Sequence, residues 1–348
     1  IYQCIVSSSA GSVKSIFASR YLKLDPGTVT ASAANTEDFS STRNDTKWGS
    51  QDFIEAGGVL TQEGGYLRYS TTGVATDNDW AARLWHGQAL PYNQDWVVQV
   101  DVKLPNNTPT LVGDKMLATG LYVHNQDDPS DTAQVSLYRG SSSRTFEAIM
   151  DVNDSELDEV NKATTSTEAT VRLRWDAAAQ RLYYEYDGNG ATGGYSWGLL
   201  DSKLLNAGSS NWGMKAGSSF VVGLVAESEN VVVAKSDDVW LDNFKLGPLP
   251  KITSQPEDEA VSRGATASFS VVATGATRYQ WQRDGVDITT GATAATYTIT
   301  NAQSSHEGIY TCVVSNAEGD SVVSNGAVLT VIIPPAITTH PSDFNATL

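Results

Sequence analysis

Gly-Ile-Tyr-Thr-Cys-Val-Val-Ser-Asn-Ala-Glu-Gly-Asp-Ser, residues 308–321, is the stretch around which this 348-residue chain is organised. A near copy of its first half, Ile-Tyr-Gln-Cys-Ile-Val-Ser, occupies residues 1–7. Internal repeats at such a separation are the signature of a chain assembled from similar units. The sequence therefore predicts a string of modules.

Both ends of the chain are interpreted as parts of such modules. Residues 1–24 read as a strand, a Ser/Gly turn and a closing strand, which predicts the last hairpin of a domain. Residues 334–348 are predicted to be the first strand of a further copy, because 335–341 echo 250–256. The simpler interpretation is that this sequence is a segment of a longer chain of tandem modules. The alternative is a polymer whose subunits complete each other's sheets by strand addition.

The composition excludes several functional classes. With 40% apolar and 18% charged residues the chain resembles an ordinary soluble globular protein, long enough for two or three domains. A formal net charge of −17 argues against a nucleic-acid partner, whose phosphates would be repelled. No run of about 18 apolar residues is present, so no membrane span is predicted in this segment.

The two cysteines do not predict a disulfide. Cys4 and Cys312 occupy the same position in the two copies of the repeat, with a whole domain between them. The residue expected to face Cys312 from the opposite sheet is Val271. We therefore expect Cys312 to be a buried free thiol that packs as a small apolar side chain.

Residues 25–247 alternate apolar and polar side chains in short segments separated by Gly, Asn, Asp and Ser, a pattern typical of strands. Residues 96–104, 170–176 and 181–187 show it well, whereas 199–205 suggest a short helical turn. Further strands are predicted at 57–61, 65–71, 80–86, 116–125, 132–139, 144–152, 220–227 and 239–246. About a dozen strands without a convincing helix predict one large antiparallel sandwich.

Four motifs mark this central region: Asp-Phe-Ser-Ser followed by Trp48, Gly-Tyr-Leu-Arg-Tyr at 65–69, a strand–turn–strand at 170–176 and 181–188, and Val-Trp-Leu-Asp-Asn-Phe at 239–244. With these motifs the region resembles the concanavalin A-like lectin/glucanase (laminin-G-like) jelly rolls of bacterial surface proteins. The resemblance implies a jelly-roll fold for 25–247.

A second domain is predicted at 248–333, after the stiff Gly-Pro-Leu-Pro linker that begins at Gly247. Trp281 stands where an immunoglobulin-like core tryptophan belongs, and Tyr310, two residues before Cys312, fits the tyrosine corner. The domain resembles the bacterial I-set immunoglobulin-like repeats. Val271 departs from the family pattern by removing its occasional disulfide, so packing is expected to hold the two sheets together.

A glycoside hydrolase is one functional alternative, because jelly rolls of this kind include β-glucanases. These use Glu-x-Asp-x-x-Glu on one strand, which aims nucleophile and acid at the same face. The nearest match runs from Glu156 through Asp158 to Asn161, where Asn161 replaces the third carboxylate. We expect this segment to be a solvated acidic hairpin at a sheet edge, and we assign no catalytic residue.

Glycan binding is a second alternative, because sugar C–H faces stack on aromatic rings and sugar hydroxyls need polar partners. By strand alternation Arg83 shares a face with Trp85, and Tyr122 shares a face with His124. Tyr138 and Glu147 lie on neighbouring predicted strands. The predicted glycan groove therefore comprises Arg83, Trp85, Tyr122, His124, Tyr138 and Glu147. Trp197 and Trp212, in Gly-rich loops, are alternative exposed platforms.

Metal sites have weaker support. The four histidines show no metal-binding spacing. Asp127, Asp128 and Asp131 cluster in a predicted loop, and hard carboxylate oxygens suit Ca²⁺, but their spacing is not that of an EF-hand. Solvated acidic turns are the favoured interpretation, and calcium is the one cofactor left open.

The resulting hypothesis is an all-β, non-enzymatic, extracellular protein of a bacterial surface or filament. Immunoglobulin-like modules would form a stalk, and the jelly roll would be the adhesion module displayed on it. A carbohydrate-binding adhesin and a β-glucanase-like hydrolase remain as alternatives. The expected partners are a glycan, a cell-surface or matrix protein, or neighbouring modules and copies in a filament.

Overall fold

The computed structural model describes the chain at residues 7–8, 11–12, 36–43, 45–48, 52–55, 57–73, 79–85, 89–189, 195–316 and 319–335. The fold is all-β and consists of several antiparallel sheets. The chain divides into two compact units, Ile1–Leu249 with Ala317–Gly319, and Pro250–Asn316 with Asp320–Leu348. Each unit is described separately below as the larger and the smaller unit.

The larger unit contains one four-residue helix, α1 (Asp45–Trp48), among its described residues; its remaining regular elements are strands and short 3₁₀ turns. The strands are β1 (Ser7–Ser8), β2 (Gly11–Ser12), β3 (Thr36–Glu37), β4 (Phe53–Glu55), β5 (Gly58–Glu63), β6 (Tyr66–Thr71), β7 (Asp79–Leu84), β8 (Leu90–Pro91), β9 (Trp96–Lys103), β10 (Met116–Asn125), β11 (Thr132–Arg139), β12 (Arg144–Val152), β13 (Ser155–Ala163), β14 (Glu168–Asp176), β15 (Arg181–Asp187), β16 (Gly198–Leu204), β17 (Ser219–Glu229) and β18 (Trp240–Gly247).

Two large sheets make up this unit. The first sheet has the strand order β13-β12-β11-β10-β17-β7-β4, with β8 paired to β17. The second sheet has the order β16-β15-β14-β9-β18-β6-β5, with β3 paired to β18. Apolar side chains from both sheets form one core cluster, so the larger unit is a two-layer antiparallel sandwich.

Strand alternation sorts the side chains between this core and the outer faces, because successive side chains of a strand point to opposite sides. In β9, Val98, Val100 and Val102 are fully buried in the core cluster, as the sequence predicts. The bounds of β10, β11 and β12 coincide with the predicted strands at 116–125, 132–139 and 144–152.

The helical turn predicted at 199–205 is wrong, because β16 runs through Gly198–Leu204 as the edge strand of the second sheet. It pairs with β15, so Tyr183 lies opposite Ser202. A mixed segment such as Gly-Leu-Leu-Asp-Ser-Lys-Leu has no strong local preference, and the unsatisfied backbone edge of β15 decides its conformation.

The smaller unit is also a β-sandwich. Its strands are β19 (Lys251–Ser254), β20 (Glu259–Ser262), β21 (Ala267–Ser270), β22 (Val272–Thr274), β23 (Arg278–Arg283), β24 (Val286–Asp287), β25 (Thr296–Ile299), β26 (Gly308–Ser315), β27 (Ser321–Val323) and β28 (Ala327–Ile332). The main sheet has the order β20-β28-β26-β23-β24, with β27 on β26, and β21–β25 and β19–β22 form two further pairs. Strand β20 runs parallel to β28.

The core of the smaller unit confirms the predicted packing of its marker residues. Trp281 is fully buried, and its indole Nε1 donates to the carbonyl oxygen of Ala294 at 2.9 Å. Tyr310 is buried beside it, and its hydroxyl donates to the carbonyl oxygen of His306 at 2.6 Å, which is the tyrosine-corner geometry. Cys312 is a buried free thiol in the same cluster as Val271.

The predicted terminal segments fall mostly outside the described residues. Of residues 1–24 the structure describes β1 and β2, an antiparallel pair in which Ser7 lies opposite Ser12. Cys4 and nearly all of 334–348 lie outside the described residues. No helix in the described ranges is long and apolar enough to cross a membrane.

Candidate ligand-binding face of the larger unit

The candidate site lies on the side of the first sheet that faces away from the sandwich core, here called the outer face. In β10, Leu117, Leu121 and Val123 belong to the core cluster, so Tyr122 and His124 alternate with them onto the outer face. Tyr122 lies opposite Gly223 of β17 in the ladder. A Cβ on Gly223 would lie 2.0 Å from the Tyr122 ring, so only glycine lets the ring lie flat across that strand.

The next two strands extend this face. Ladder pairing sets Gln134 of β11 beside Tyr122, and Ser136 of β11 opposite Glu147 of β12. Tyr138 follows two residues after Ser136 and therefore shares its face. The structure thus brings four of the six predicted groove residues, Tyr122, His124, Tyr138 and Glu147, onto one surface.

Arg83 and Trp85 are not on this surface, and their predicted place in the groove is corrected. Arg83 lies opposite Leu224, a core residue, and its guanidinium donates to both carboxylate oxygens of Asp52, at 2.8 and 3.0 Å. Trp85 is a core residue whose ring lies 5.0 Å from Trp48 and 5.0 Å from Phe244. Alternation gives the outer face of β7 to other side chains, Trp80, Ala82 and Leu84.

Glu147 is the most perturbed carboxyl of the outer face. Its side chain is buried, and Ser136 Oγ donates to it at 3.3 Å. Burial, followed by the nearby carboxylates of Glu227 and Glu159, raises the pKa of Glu147 to about 8. At neutral pH Glu147 is therefore a carboxylic acid that can donate a hydrogen bond, and Glu159 is within reach as its acceptor.

Sequence reasoning missed Glu227, which lies at the end of β17. It is buried opposite Ala118 of β10 and Trp80 of β7, and it accepts a hydrogen bond of 3.1 Å from Gln134 Nε2. The alternation of residues 220–227 contains the signal, because Val221, Val225 and Glu227 share a face. The name Glu147 cluster is used below for Gln134, Ser136, Tyr138, Glu147, Glu159 and Glu227.

Accessibility changes across the outer face. His124 has no exposed surface, and burial lowers its pKa to about 3, so it is a neutral part of the floor. Tyr122 is buried as well. In contrast, Gln134 and Tyr138 are half-buried and Glu159 is exposed. A ligand can therefore approach the Glu147 cluster from the β11–β13 side.

The acidic segment of the hydrolase hypothesis lies in β13, the edge strand of the first sheet, as predicted. Asp158 forms an ion pair with Lys203 of β16, which belongs to the second sheet. Asn161 donates to the carboxylate of Glu159 on its own strand. The carboxylates that the hypothesis pairs are Glu156 and Asp158. A register shift sets Glu156 opposite Asp151 and Asp158 opposite Met150, which is a core residue, so the two side chains fall on opposite faces of the sheet.

The three aspartates proposed for calcium do not converge. Asp127 accepts a hydrogen bond of 2.9 Å from Ser218 Oγ, and Asp128 accepts from Ser130. Asp131 accepts from an asparagine amide and a backbone N–H, each at 3.2 Å. Across the part of the chain that the structure describes, no group of three His, Cys, Asp or Glu side chains is placed to hold a metal ion.

The two alternative tryptophan platforms differ from each other. Trp212 is a buried core residue, which corrects its predicted exposure. Trp197 is half-buried; its ring stacks on Tyr195 at 4.9 Å and lies under the guanidinium of Arg172 at 3.7 Å. The Trp197 ring is thus already in contact with an aromatic ring and a guanidinium group, which leaves less of its face open to a sugar.

Comparison with known proteins identifies the smaller unit. The immunoglobulin domain family model matches residues 250–316, and no curated protein matches the chain. Similar solved structures include a titin M10–obscurin-like 1 Ig complex (26% identity, 25% of this chain, 98% of that chain, TM-score 0.23) and Duf (Kirre) D1 (17%, 25%, 99%, 0.23). The tandem Ig repeats of Dlar are another (18%, 35%, 73%, 0.23). The family match shows that the chain contains an immunoglobulin-like domain.

Proposed function

We propose that this chain is part of an extracellular, modular bacterial surface protein whose larger unit is a concanavalin A-like adhesion module. The immunoglobulin-like domain would be a spacer in its stalk. Two observations support this proposal: each unit has its own hydrophobic core, and the larger unit is a two-layer antiparallel sandwich. The proposal also rests on the motif resemblance of the central region and of the immunoglobulin-like repeats.

The ligand that best fits the larger unit is a neutral glycan bound at the Glu147 cluster. The observation that carries this proposal is the shared face of the half-buried Tyr138 ring, the Gln134 amide and the buried Glu147 carboxyl group, whose pKa burial raises to about 8. Sugar hydroxyls need both donors and acceptors, and sugar C–H faces pack on aromatic rings. A protonated Glu147 adds no charge to the site, and the exposed Glu159 and the Gln134 amide offer polar groups to sugar hydroxyls.

The test is binding of the whole 348-residue chain to a glycan array, followed by affinity measurements on the best glycan. We expect Tyr138→Ala to weaken binding about tenfold, because a stacked aromatic ring is worth roughly 1 kcal/mol beyond its buried area. The matched control is Tyr183→Ala, which removes a half-buried tyrosine from the second sheet. Binding that both variants retain, or that both lose equally, would contradict the assignment.

Glycoside hydrolysis is a second candidate, and the raised pKa of Glu147 beside Glu159 favours it. General acid catalysis of this kind requires a carboxyl group with a raised pKa and a second carboxyl group near it. Reducing-sugar release from β-glucans, measured for the wild-type chain and for Glu147→Gln, tests this candidate. Hydrolysis that disappears in Glu147→Gln would replace the non-enzymatic proposal. We expect the wild-type chain to release no more reducing sugar than Glu147→Gln.

A further inference from the structure

Two arginines of the larger unit flank the turn between β11 and β12. Arg139 is the last residue of β11 and Arg144 the first residue of β12, and the two lie directly opposite each other in the ladder. Like charges at directly opposed positions destabilise a sheet. This placement therefore needs something that compensates for the repulsion.

Neutral backbone acceptors, and the negative charge of Asp237 near Arg139, provide part of that compensation. Arg139 is buried and donates to the carbonyl oxygens of Pro105, Thr108 and Pro109. Arg144 Nη2 donates to the Pro105 carbonyl oxygen at 3.1 Å and makes a longer contact with an asparagine side chain. Arg144 Nη1 is buried and has no hydrogen-bond partner. One guanidinium donor is therefore left unsatisfied.

A pocket with a cavity volume of about 760 Å³ opens at these arginines. Neither Asp nor Glu lines it, and all its lining residues lie within the described ranges. Burial and the repulsion from Arg139 lower the pKa of Arg144 to about 10, so both guanidinium groups stay charged at neutral pH. The pocket is a local cationic site in a chain whose net charge is −17.

The remaining wall of the pocket is rich in hydroxyl groups. They come from the β11–β12 turn, the β9–β10 connection and the β13–β14 connection, and they belong to Thr110, Ser141, Ser142, Ser143, Thr164 and Thr165. Pockets of roughly 300–1,000 Å³ hold small organic ligands. The volume, the two cations and the surrounding hydroxyls together fit a small polyhydroxylated anion.

We propose that this pocket binds an acidic sugar unit, a uronate or a sulfated monosaccharide, with the Arg144 guanidinium donating to its oxyanion. A guanidinium forms strong, charge-assisted hydrogen bonds with carboxylate and sulfate oxygens. The Ser and Thr hydroxyls then pair with the hydroxyls of the sugar. This second site does not depend on the function proposed for the Glu147 cluster, because the two sites share no residue.

Calorimetric titration of the whole chain with glucuronate, glucose 6-sulfate, glucose and inorganic sulfate, at constant ionic strength, tests the proposal. We expect at least one acidic sugar to bind tenfold or more tightly than both glucose and sulfate. Arg144→Gln should abolish this preference. Arg278→Gln, which removes an exposed arginine from the smaller unit, should leave it unchanged.

Thermal unfolding without ligand separates a binding role from a structural one. If Arg144 serves the ligand, Arg144→Gln relieves its repulsion with Arg139 and keeps or raises the melting temperature of the larger unit. If Arg144 is mainly structural, the variant melts at a lower temperature. Three results would overturn the proposal: equal affinity for glucose, sulfate alone matching the acidic sugars, or unchanged titrations for Arg144→Gln.

Discussion

At the scale of single residues, burial without an opposite charge sets the chemistry of the outer face. It raises the pKa of Glu147 and lowers that of His124, so both are neutral at pH 7 although one is an acid and the other a base. Once each group is buried, the direction of its pKa shift follows from the residue type, because burial disfavours the charged form. The sequence indicates which side chains share a strand face, but the depth at which each lies depends on the strands beside it.

Glu147 should make the stability of the larger unit depend on pH. Its ordinary pKa of 4.5 applies to the unfolded chain, and the folded value is about 8. Between these values the folded state binds the extra proton, so the free energy of unfolding falls as pH rises and levels off above pH 8. In denaturant titrations we expect Glu147→Gln to remove a fall on the order of a few kcal/mol. If the free energy of unfolding of Glu147→Gln still falls with pH as in the wild type, other carboxyl groups cause the pH dependence.

The thiol of Cys312 should be unreactive in the folded chain. Burial raises its pKa to about 11, so only about one molecule in a thousand carries the thiolate at pH 8. In a Cys4→Ser background, we expect a thiol reagent to label Cys312 only as the smaller unit unfolds in denaturant. Rapid labelling in native buffer would show that the thiol is accessible.

At the scale of elements, the ladder of β14 and β15 places an ion-pair network on the outer side of the second sheet. Arg172 Nε donates to Glu185 Oε2 at 2.6 Å, and Arg174 Nη2 donates to Glu185 Oε1 at 3.0 Å. Arg172 and Glu185 lie directly opposite each other and are both buried. The alternation Arg-Leu-Arg against Tyr-Tyr-Glu, visible in the sequence, produces this pairing.

Removing the shared carboxylate should be costly. Glu185→Ala leaves two guanidinium groups without the acceptor that they share in a partly buried place, and losing one partner of a buried pair costs about 3–5 kcal/mol. We expect this loss in the free energy of unfolding of the larger unit. The control is Glu168→Ala, because the Glu168 carboxylate that pairs with Lys103 is solvent-exposed and the pair should be worth less than about 1 kcal/mol. Equal costs for the two variants would refute the argument.

At the scale of the whole molecule, two separate cores divide the chain into units that can be perturbed one at a time. The larger core is contributed by both sheets of the sandwich, and the smaller one gathers around Trp281 and Tyr310. The interruption of the strand pattern at Gly247-Pro248-Leu249-Pro250 predicts this division, because proline fixes φ and removes a backbone donor.

Calorimetric unfolding should therefore resolve two transitions. Tyr310→Phe removes the hydrogen bond to the His306 carbonyl oxygen, which costs roughly 1 kcal/mol. For a domain of this size that lowers one transition by about 4–8 °C. We expect Glu185→Ala to lower the other transition. A single transition that both variants shift together would show that the two cores unfold as one.

The sequence by itself determined the all-β class, the bounds of β10, β11 and β12, and the roles of Trp281, Tyr310 and Cys312 as core residues. These features are local: a period of two reveals a strand, and the immunoglobulin-like markers lie within a short stretch of chain. Only the tertiary structure decided that Trp85 faces the core and that Glu227 lies on the same face as Glu147, 80 residues earlier in the chain. The reason is that neighbouring strands in the sheet, β17 beside β10 and β7, are distant in sequence, and the pairing register that sets each face is fixed only when they meet.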